Sequence, residues 1–283
     1  MGFKSILTVV ITPAEARAAI SAAAQLALAH DGHLDVLALG VDQGQIGYTY
    51  LGGGAILNEL WMDSAVVDAE AIAKEVKAVL AEQDPGLRFT IQMALVEIGA
   101  LSAIVASAAR FVDLVVQARP YASSQKYVAE EVVAAALFAA RAPVLILPDA
   151  PDMTRLNPPR RIILAWNQSI EALVATRCAL PLLKTADEVD VTVVDPPPRG
   201  PERSDPGGML CQFLVRHGVK AKVSVLARSM PRVSDVLARH AVDQGTDLMV
   251  MGAFGHSRLR EAVLGGATRE VLESTKIPVL MAH

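Results

Sequence analysis

At 283 residues, 52% hydrophobic, 4% aromatic and with a net charge of −4, the chain is too long for one small open sheet and suits two domains of ~140 residues. Two cysteines cannot build a disulfide framework, no charged-then-apolar leader opens the sequence, and no apolar run reads as a membrane span, so the expected setting is cytoplasmic and membrane-free. Residues 1–150 hold 9 Lys and Arg against 16 Asp and Glu, and the remainder 17 against 14; neither half has the dense basic face of a nucleic-acid binder, although the second could hold one small anion.

Strand and helix alternate along the chain. Strands are predicted at 4–11, 33–41, 88–96, 112–117 and 143–148, with helices at 13–30, 58–83, 98–110 and 125–140. An insertion, 42–57, separates the second strand from the second helix and reads as a surface loop or partner-contact lid. Residues 151–159, PDMTRLNPP, read as a linker. Beyond it, strands are predicted at 160–167, 188–194, 219–227, 246–252 and 277–282, and helices at 169–184, 206–217, 231–244 and 266–275. The strands are short β-branched runs, whereas the helices repeat apolar residues every three or four positions. Pro13, Pro206 and Pro231 fall where helices should start, and Gly32, Gly218 and Gly245 where they should end. Cys178 and Cys211 lie in apolar stretches and are expected to be buried free thiols.

The two halves repeat one another. Lys4-Ser-Ile-Leu-Thr-Val-Val aligns with Arg160-Arg-Ile-Ile-Leu-Ala-Trp, and Glu15 with Glu171. Asp113-Leu-Val-Val aligns with Asp247-Leu-Met-Val, and Arg141-Ala-Pro-Val-Leu-Ile-Leu with Lys276-Ile-Pro-Val-Leu-Met-Ala. Matched segments in the same order indicate a duplication, with domains at 1–150 and 160–283. A βαβαβαβαβ order implies right-handed crossovers and a doubly wound parallel sheet, here a flavodoxin-like α/β sheet of order 3-2-1-4-5 in each half. Ligands on such sheets bind beyond the carboxyl ends of the first and fourth strands.

After the fourth strand of the second half the chain runs Gly252-Ala-Phe-Gly-His-Ser-Arg, and Gly265-Gly-Ala-Thr opens the last helix. Glycines allow backbone N–H groups close to a ligand, and a helix start adds unpaired donors and a favourable dipole. Arg258 and His256 could add charge-assisted contacts, and Ser257 and Thr268 neutral ones. The bland alternative is that these are turn glycines and that Thr268 caps or lines its helix.

Gly252, Gly255 and Gly265, with two and then nine residues between them, resemble the ATP-binding motif of the universal stress protein family. The segments IPVLMAH and IILAWNQS are similar to that family's last and first strands. The resemblance implies an adenine nucleotide alpha hydrolase-like fold, adenine-nucleotide binding, dimerisation through the last strand, and a role in stress survival. It implies a cofactor-binding set of Asn167, Gly252, Gly255, His256, Ser257, Arg258, Gly265, Gly266, Ala267 and Thr268, with ATP, ADP or AMP as ligand and Mg²⁺ as its optional companion. Two positions depart from the family pattern: Gly266 stands where Ser or Thr follows the third glycine, and Asn167 where the first strand ends in Asp. Asn can hydrogen-bond a ribose or base edge but lacks a metal-binding charge. Trp166 reads as a core or interface residue, with flanking of the adenine as the alternative.

The first half lacks the loop. Ala118, Tyr121, Glu130 and Glu131 align with Gly252, Gly255, Gly265 and Gly266, and Ile11 with Asn167. The two carboxylates are expected at the helix start, where they would satisfy the dipole and repel phosphate. No nucleophile elbow, Walker motif or zinc-ligand spacing occurs, and the histidines at 30, 33, 217, 240, 256 and 283 are dispersed. The expected protein is therefore a tandem universal stress protein packed as an intramolecular pseudo-dimer, non-enzymatic, able to pair as a homodimer or with a protein partner. A slow ATPase and an interaction protein with a vestigial pocket remain the alternatives.

Overall fold

The computed structural model describes residues 2–42, 54–196, 204–253 and 266–283, apart from the side chains of 54–65 and 267. The chain divides into two compact units, Gly2–Ala142 and Pro143–His283. The predicted boundary lay after the fifth strand. The contacts place it before that strand, which packs in the second unit.

In the first unit the elements are β1 (Ser5–Val10), α1 (Pro13–Ala29), β2 (His33–Asp42), α2 (Gly54–Ala81), β3 (Arg88–Glu97), α3 (Leu101–Ala109), β4 (Leu114–Ala118) and α4 (Lys126–Ala134). A π-helical turn over Ala135–Ala139 extends α4. The strands run parallel in the order β3-β2-β1-β4. Helix α1 starts at Pro13, whose fixed φ and missing N–H suit that position. It lays Ala16, Ala19, Ala22 and Ala23 into the core; these small side chains let the helix approach the strands closely. The turn into β2 needs glycine, because a Cβ at Gly32 would sit 2.6 Å from the Phe3 carbonyl oxygen.

The second unit contains β5 (Val144–Leu147), α5 (Met153–Leu156), β6 (Arg161–Ala165), α6 (Ile170–Leu183), β7 (Glu188–Val194), α7 (Gly208–Arg216), β8 (Ala221–Leu226), α8 (Val233–Asp243), β9 (Leu248–Gly252), α9 (Gly266–Ser274) and β10 (Val279–Ala282). Strands β8-β7-β6-β9-β10 are parallel, which is the 3-2-1-4-5 order. Strand β5 pairs antiparallel with β10, Leu145 opposite Leu280. The fold is α/β and flavodoxin-like.

Several local expectations need correction. The proline-rich stretch 151–159 carries the short helix α5, capped by Asp152 Oδ1, which accepts the Thr154 N–H at 3.0 Å. Leu156 is buried there. Pro206 and Pro231 each lie two residues before their helix. Gly207 takes a left-handed turn (φ 83°) before α7, and Arg232 is the extended cap of α8. Cys178 and Cys211 are half-buried free thiols rather than fully buried ones. Burial pushes both thiols up, with Asp205 adding to the effect at Cys211, so neither has the thiolate character of a reactive cysteine.

The matched aspartates have the same role in the two units. Asp113 Oδ2 accepts the backbone N–H groups of Lys4 and Ser5 at 2.6 and 3.1 Å. Asp247 Oδ2 accepts those of Arg160 and Arg161 at 2.9 and 3.0 Å. Each carboxylate thereby ties the amino end of its fourth strand to that of its first.

Candidate functional site

In the second unit β6 lies between β7 and β9, so the chain leaves the sheet in opposite directions at their carboxyl ends. That switch point is where a ligand crevice opens in such folds. Gly252 is the last residue of β9. A Cβ there would lie 2.5 Å from the Ala172 backbone nitrogen and 2.8 Å from the Glu171 carbonyl carbon. The glycine is thus required by packing: it admits the first turn of α6 against the strand end. Ser169 caps that turn, its Oγ accepting the Ala172 N–H at 3.1 Å.

Asn167 stands exposed just past β6, and its Oδ1 accepts the Ser169 N–H at 3.1 Å. Gln168 between them adopts φ 64°. The Asn167 carbonyl oxygen therefore shapes the turn, and its amide nitrogen is the part that can face a ligand, given that amide orientation follows the hydrogen-bond network. Trp166 is buried, which makes it a core residue, and its backbone N–H donates to the Thr192 carbonyl at 2.9 Å.

Helix α9 starts at Gly266, where an added Cβ would meet nothing within 4 Å among the described residues. Among those residues, therefore, nothing steric forces glycine at that position. Ala267 is the second residue of the helix. Thr268 is buried in its first turn. Ser234 of α8 donates to Glu270 Oε2 at 2.6 Å and so holds α9 against α8. Gly255, His256, Ser257, Arg258 and Gly265 lie outside the described residues, as does most of the 42–57 insertion. The structure therefore brings Asn167, Gly252, Gly266 and Thr268 into one unit on the elements that frame the switch point.

The first unit differs at its corresponding positions. Ala118 ends β4 and Ile11 is buried. Thr12 Oγ1 and Gln117 Nε2 are buried without a partner among the described residues. The expectation that Glu130 and Glu131 occupy a helix start is wrong. Helix α4 begins at Lys126, four residues earlier, and no acidic residue lies in its first turn. Glu130 instead lies 3.8 Å from Lys126 Nζ, one turn along the helix. The two closing helices start at different distances from the strands before them, α4 at Lys126 after Ala118 and α9 at Gly266 after Gly252, so the carboxylates fall one turn into α4.

A buried polar group escaped sequence reasoning altogether. Asp190 in β7 accepts Ser224 Oγ at 2.9 Å and lies 2.9 Å from His240 Nε2. The alternation within EVDVTVV sets Asp190 on the face of Glu188 and Thr192, and its burial follows from both faces of the strand being covered. Among the described residues no group of three or more His, Cys, Asp and Glu is placed to hold a metal ion. No described helix is long and apolar enough to cross a membrane.

A parallel sheet of order 3-2-1-4-5 with a glycine at the carboxyl end of its fourth strand defines a flavodoxin-like α/β protein whose switch point is the β6–β9 junction. Comparison with known proteins narrows this class. The model of the universal stress protein family matches residues 158–283. A universal stress protein of Synechocystis sp. is 40% identical over 69 residues, 24% of this chain and 23% of that protein, so the match spans under a quarter of the relative's length. The crystal structure of a universal stress protein from Archaeoglobus fulgidus superposes with a TM-score of 0.66 at 14% identity, covering 98% of this chain and 95% of that one. A functionally unknown protein from Pseudomonas aeruginosa PAO1 superposes with a TM-score of 0.57 at 17% identity, covering 99% and 92%. These two share the fold. Residues 158–283 are thus the part of the chain that matches the universal stress protein family.

Proposed function

We propose that the chain is a tandem universal stress protein whose second unit binds an adenine nucleotide, ATP, ADP or AMP, at the carboxyl ends of β6 and β9, in a non-enzymatic, cytoplasmic role in the stress response. The observation that carries this reading is Gly252. Its missing side chain admits the N-terminal turn of α6 to the end of β9, while α9 opens from Gly266, whose Cα has space beside it among the described residues. Helix starts meeting at a switch point offer backbone donors to phosphate. Gly255, His256, Ser257, Arg258 and Gly265 complete the phosphate loop in this proposal, with the Asn167 amide on the ribose or base. Mg²⁺ enters with the phosphates, since Asn167 brings no charge to hold it.

The test is a calorimetric titration of the full chain with ATP, ADP and AMP, with and without Mg²⁺, beside a Gly265→Glu, Gly266→Glu double variant. Saturable binding by the intact chain and its loss in the variant are expected, because two carboxylates at the helix start repel phosphate. Absence of binding by all three nucleotides would sink the proposal and leave a nucleotide-free interaction protein. Nucleotide turnover that disappears with Gly265 would instead identify a slow ATPase.

A further inference from the structure

The second unit has a cleft of about 460 Å³ at the opposite end of its sheet, where α5 and the residues after it cover the amino ends of β6 and β9. Its walls carry Arg155, Arg160, Arg161, Asp187 and Asp247. We propose that this cleft is an anion site that takes the phosphate group of a small phosphorylated metabolite, with Arg160 and Arg161 as its cationic ligands.

The argument rests on which charges in the cleft are already neutralised. Asp247 is buried, and every acceptor direction it needs is filled. Its Oδ2 takes two backbone N–H groups, and its Oδ1 takes the Arg155 guanidinium, with Nε at 2.6 Å. Arg155 also donates to the Gly245 carbonyl at 2.7 Å. That pair is closed and contributes little net charge. Arg161 spends one nitrogen on the Gln244 carbonyl at 3.1 Å. The Arg160 guanidinium meets no partner among the described residues. Two guanidinium groups then face one exposed carboxylate, Asp187, and the cleft is net positive.

The first unit supplies an internal control. Lys4 stands where Arg160 does, but its Nζ is held by the His30 and Asp31 carbonyls at 2.8 and 3.0 Å and by Asp31 Oδ2 at 3.2 Å. Arg88 closes on Asp31 as well. Ser5, without charge, stands where Arg161 does. The same end of the sheet is thus self-neutralised in the first unit and carries unmatched cations in the second. Guanidinium forks match phosphate oxygens in pairs, and the volume exceeds that of a bare ion and lies within the range of small-molecule pockets. A phosphate carried on a small organic group fits both facts.

The probes are inorganic phosphate, pyrophosphate and glucose 6-phosphate, titrated calorimetrically into the full chain at low salt. Saturable binding that survives Gly265→Glu, Gly266→Glu but weakens at least about tenfold in Arg160→Gln, Arg161→Gln is expected; the backbone N–H groups that Asp247 holds are unchanged in that variant. Equal affinity for inorganic phosphate and the ester would identify free phosphate as the ligand source. Asp187→Asn, which removes the opposing charge, is expected to tighten binding severalfold. The proposal is overturned if no probe binds saturably, if binding disappears with the Gly265 and Gly266 substitutions, or if Asp187→Asn leaves affinity unmoved.

Discussion

In the first unit Asp113 gathers the N–H groups of Lys4 and Ser5, and in the second Asp247 gathers those of Arg160 and Arg161 in the same way. At the other end of the strands the units diverge. Gly252 lets α6 close on β9, where the first unit has Ala118 at the end of β4. The comparison teaches that the backbone clamp at the amino ends is common to both units, while the residue that closes the fourth strand differs between them. The clamp ties two strands together and so is a fold device, whereas the strand end sets how closely the neighbouring helix can approach.

The sharpest way to break this comparison is to remove the clamps. Asp247→Ala leaves two backbone N–H groups and Arg155 without their acceptor, whereas Asp113→Ala frees two N–H groups only. Hydrogen bonds to a charged group contribute about 1.5–3 kcal/mol each, discounted here because Arg155 is about half exposed (47%) and Asp113 is itself exposed. The expected loss is roughly 3 kcal/mol for Asp247→Ala and about 2 kcal/mol for Asp113→Ala, read from urea titrations in which hydrogen exchange reports each unit separately. Equal losses would show that Arg155 adds nothing.

A smaller effect is expected from exchanging the strand-end residues. Gly252→Ala forces the α6 backbone away by the overlap at Ala172, at a cost of about 2 kcal/mol, and should weaken nucleotide binding in parallel. Ala118→Gly costs only about 0.5–1 kcal/mol through backbone entropy and should create no nucleotide site. A Gly252→Ala protein as stable as the parent would refute the packing role assigned to Gly252.

The smallest effect is pH-dependent and confined to the first unit. His30 packs edge-on against Phe3, and its pKa is held below the ordinary value, first by burial, then by the charge of Lys4 and of the N-terminus. An unfolded chain titrates this histidine near about 6.5. As pH falls through that value the unfolded state takes up the proton before the folded state does, so stability of the first unit declines until the lower folded pKa is reached. Above pH ~7 both states are neutral and the effect vanishes. His30→Gln should flatten the decline below about pH 6.5; an unchanged pH profile would assign the decline to other groups.

Much of this was legible in the chain itself. Short β-branched runs alternating with longer helical periods place β7 at 188–194 and α9 from 266, because burial of both sheet faces demands continuous apolar strands. The order Lys4…Asp113 and Arg160…Asp247 marks equivalent positions, and the structure gives them equivalent bonds. Gly252 was visible as a glycine at a strand end. Its reason, the backbone of α6 lying against it, was not, since that contact joins residues 80 positions apart.

What the sequence alone determined is therefore the alternating element order, the flavodoxin-like class and the strands between which the switch point falls. Those follow from local periodicity and from the handedness of parallel crossovers. The tertiary structure alone decided that Val144–Leu147 packs with the second unit. It also decided that α4 starts at Lys126 rather than at the carboxylates, that Arg155 rather than Arg160 neutralises Asp247, and that Asp190 meets His240. Helix starts and charge pairings depend on which distant groups arrive within hydrogen-bond reach, and no spacing along the chain specifies that arrival.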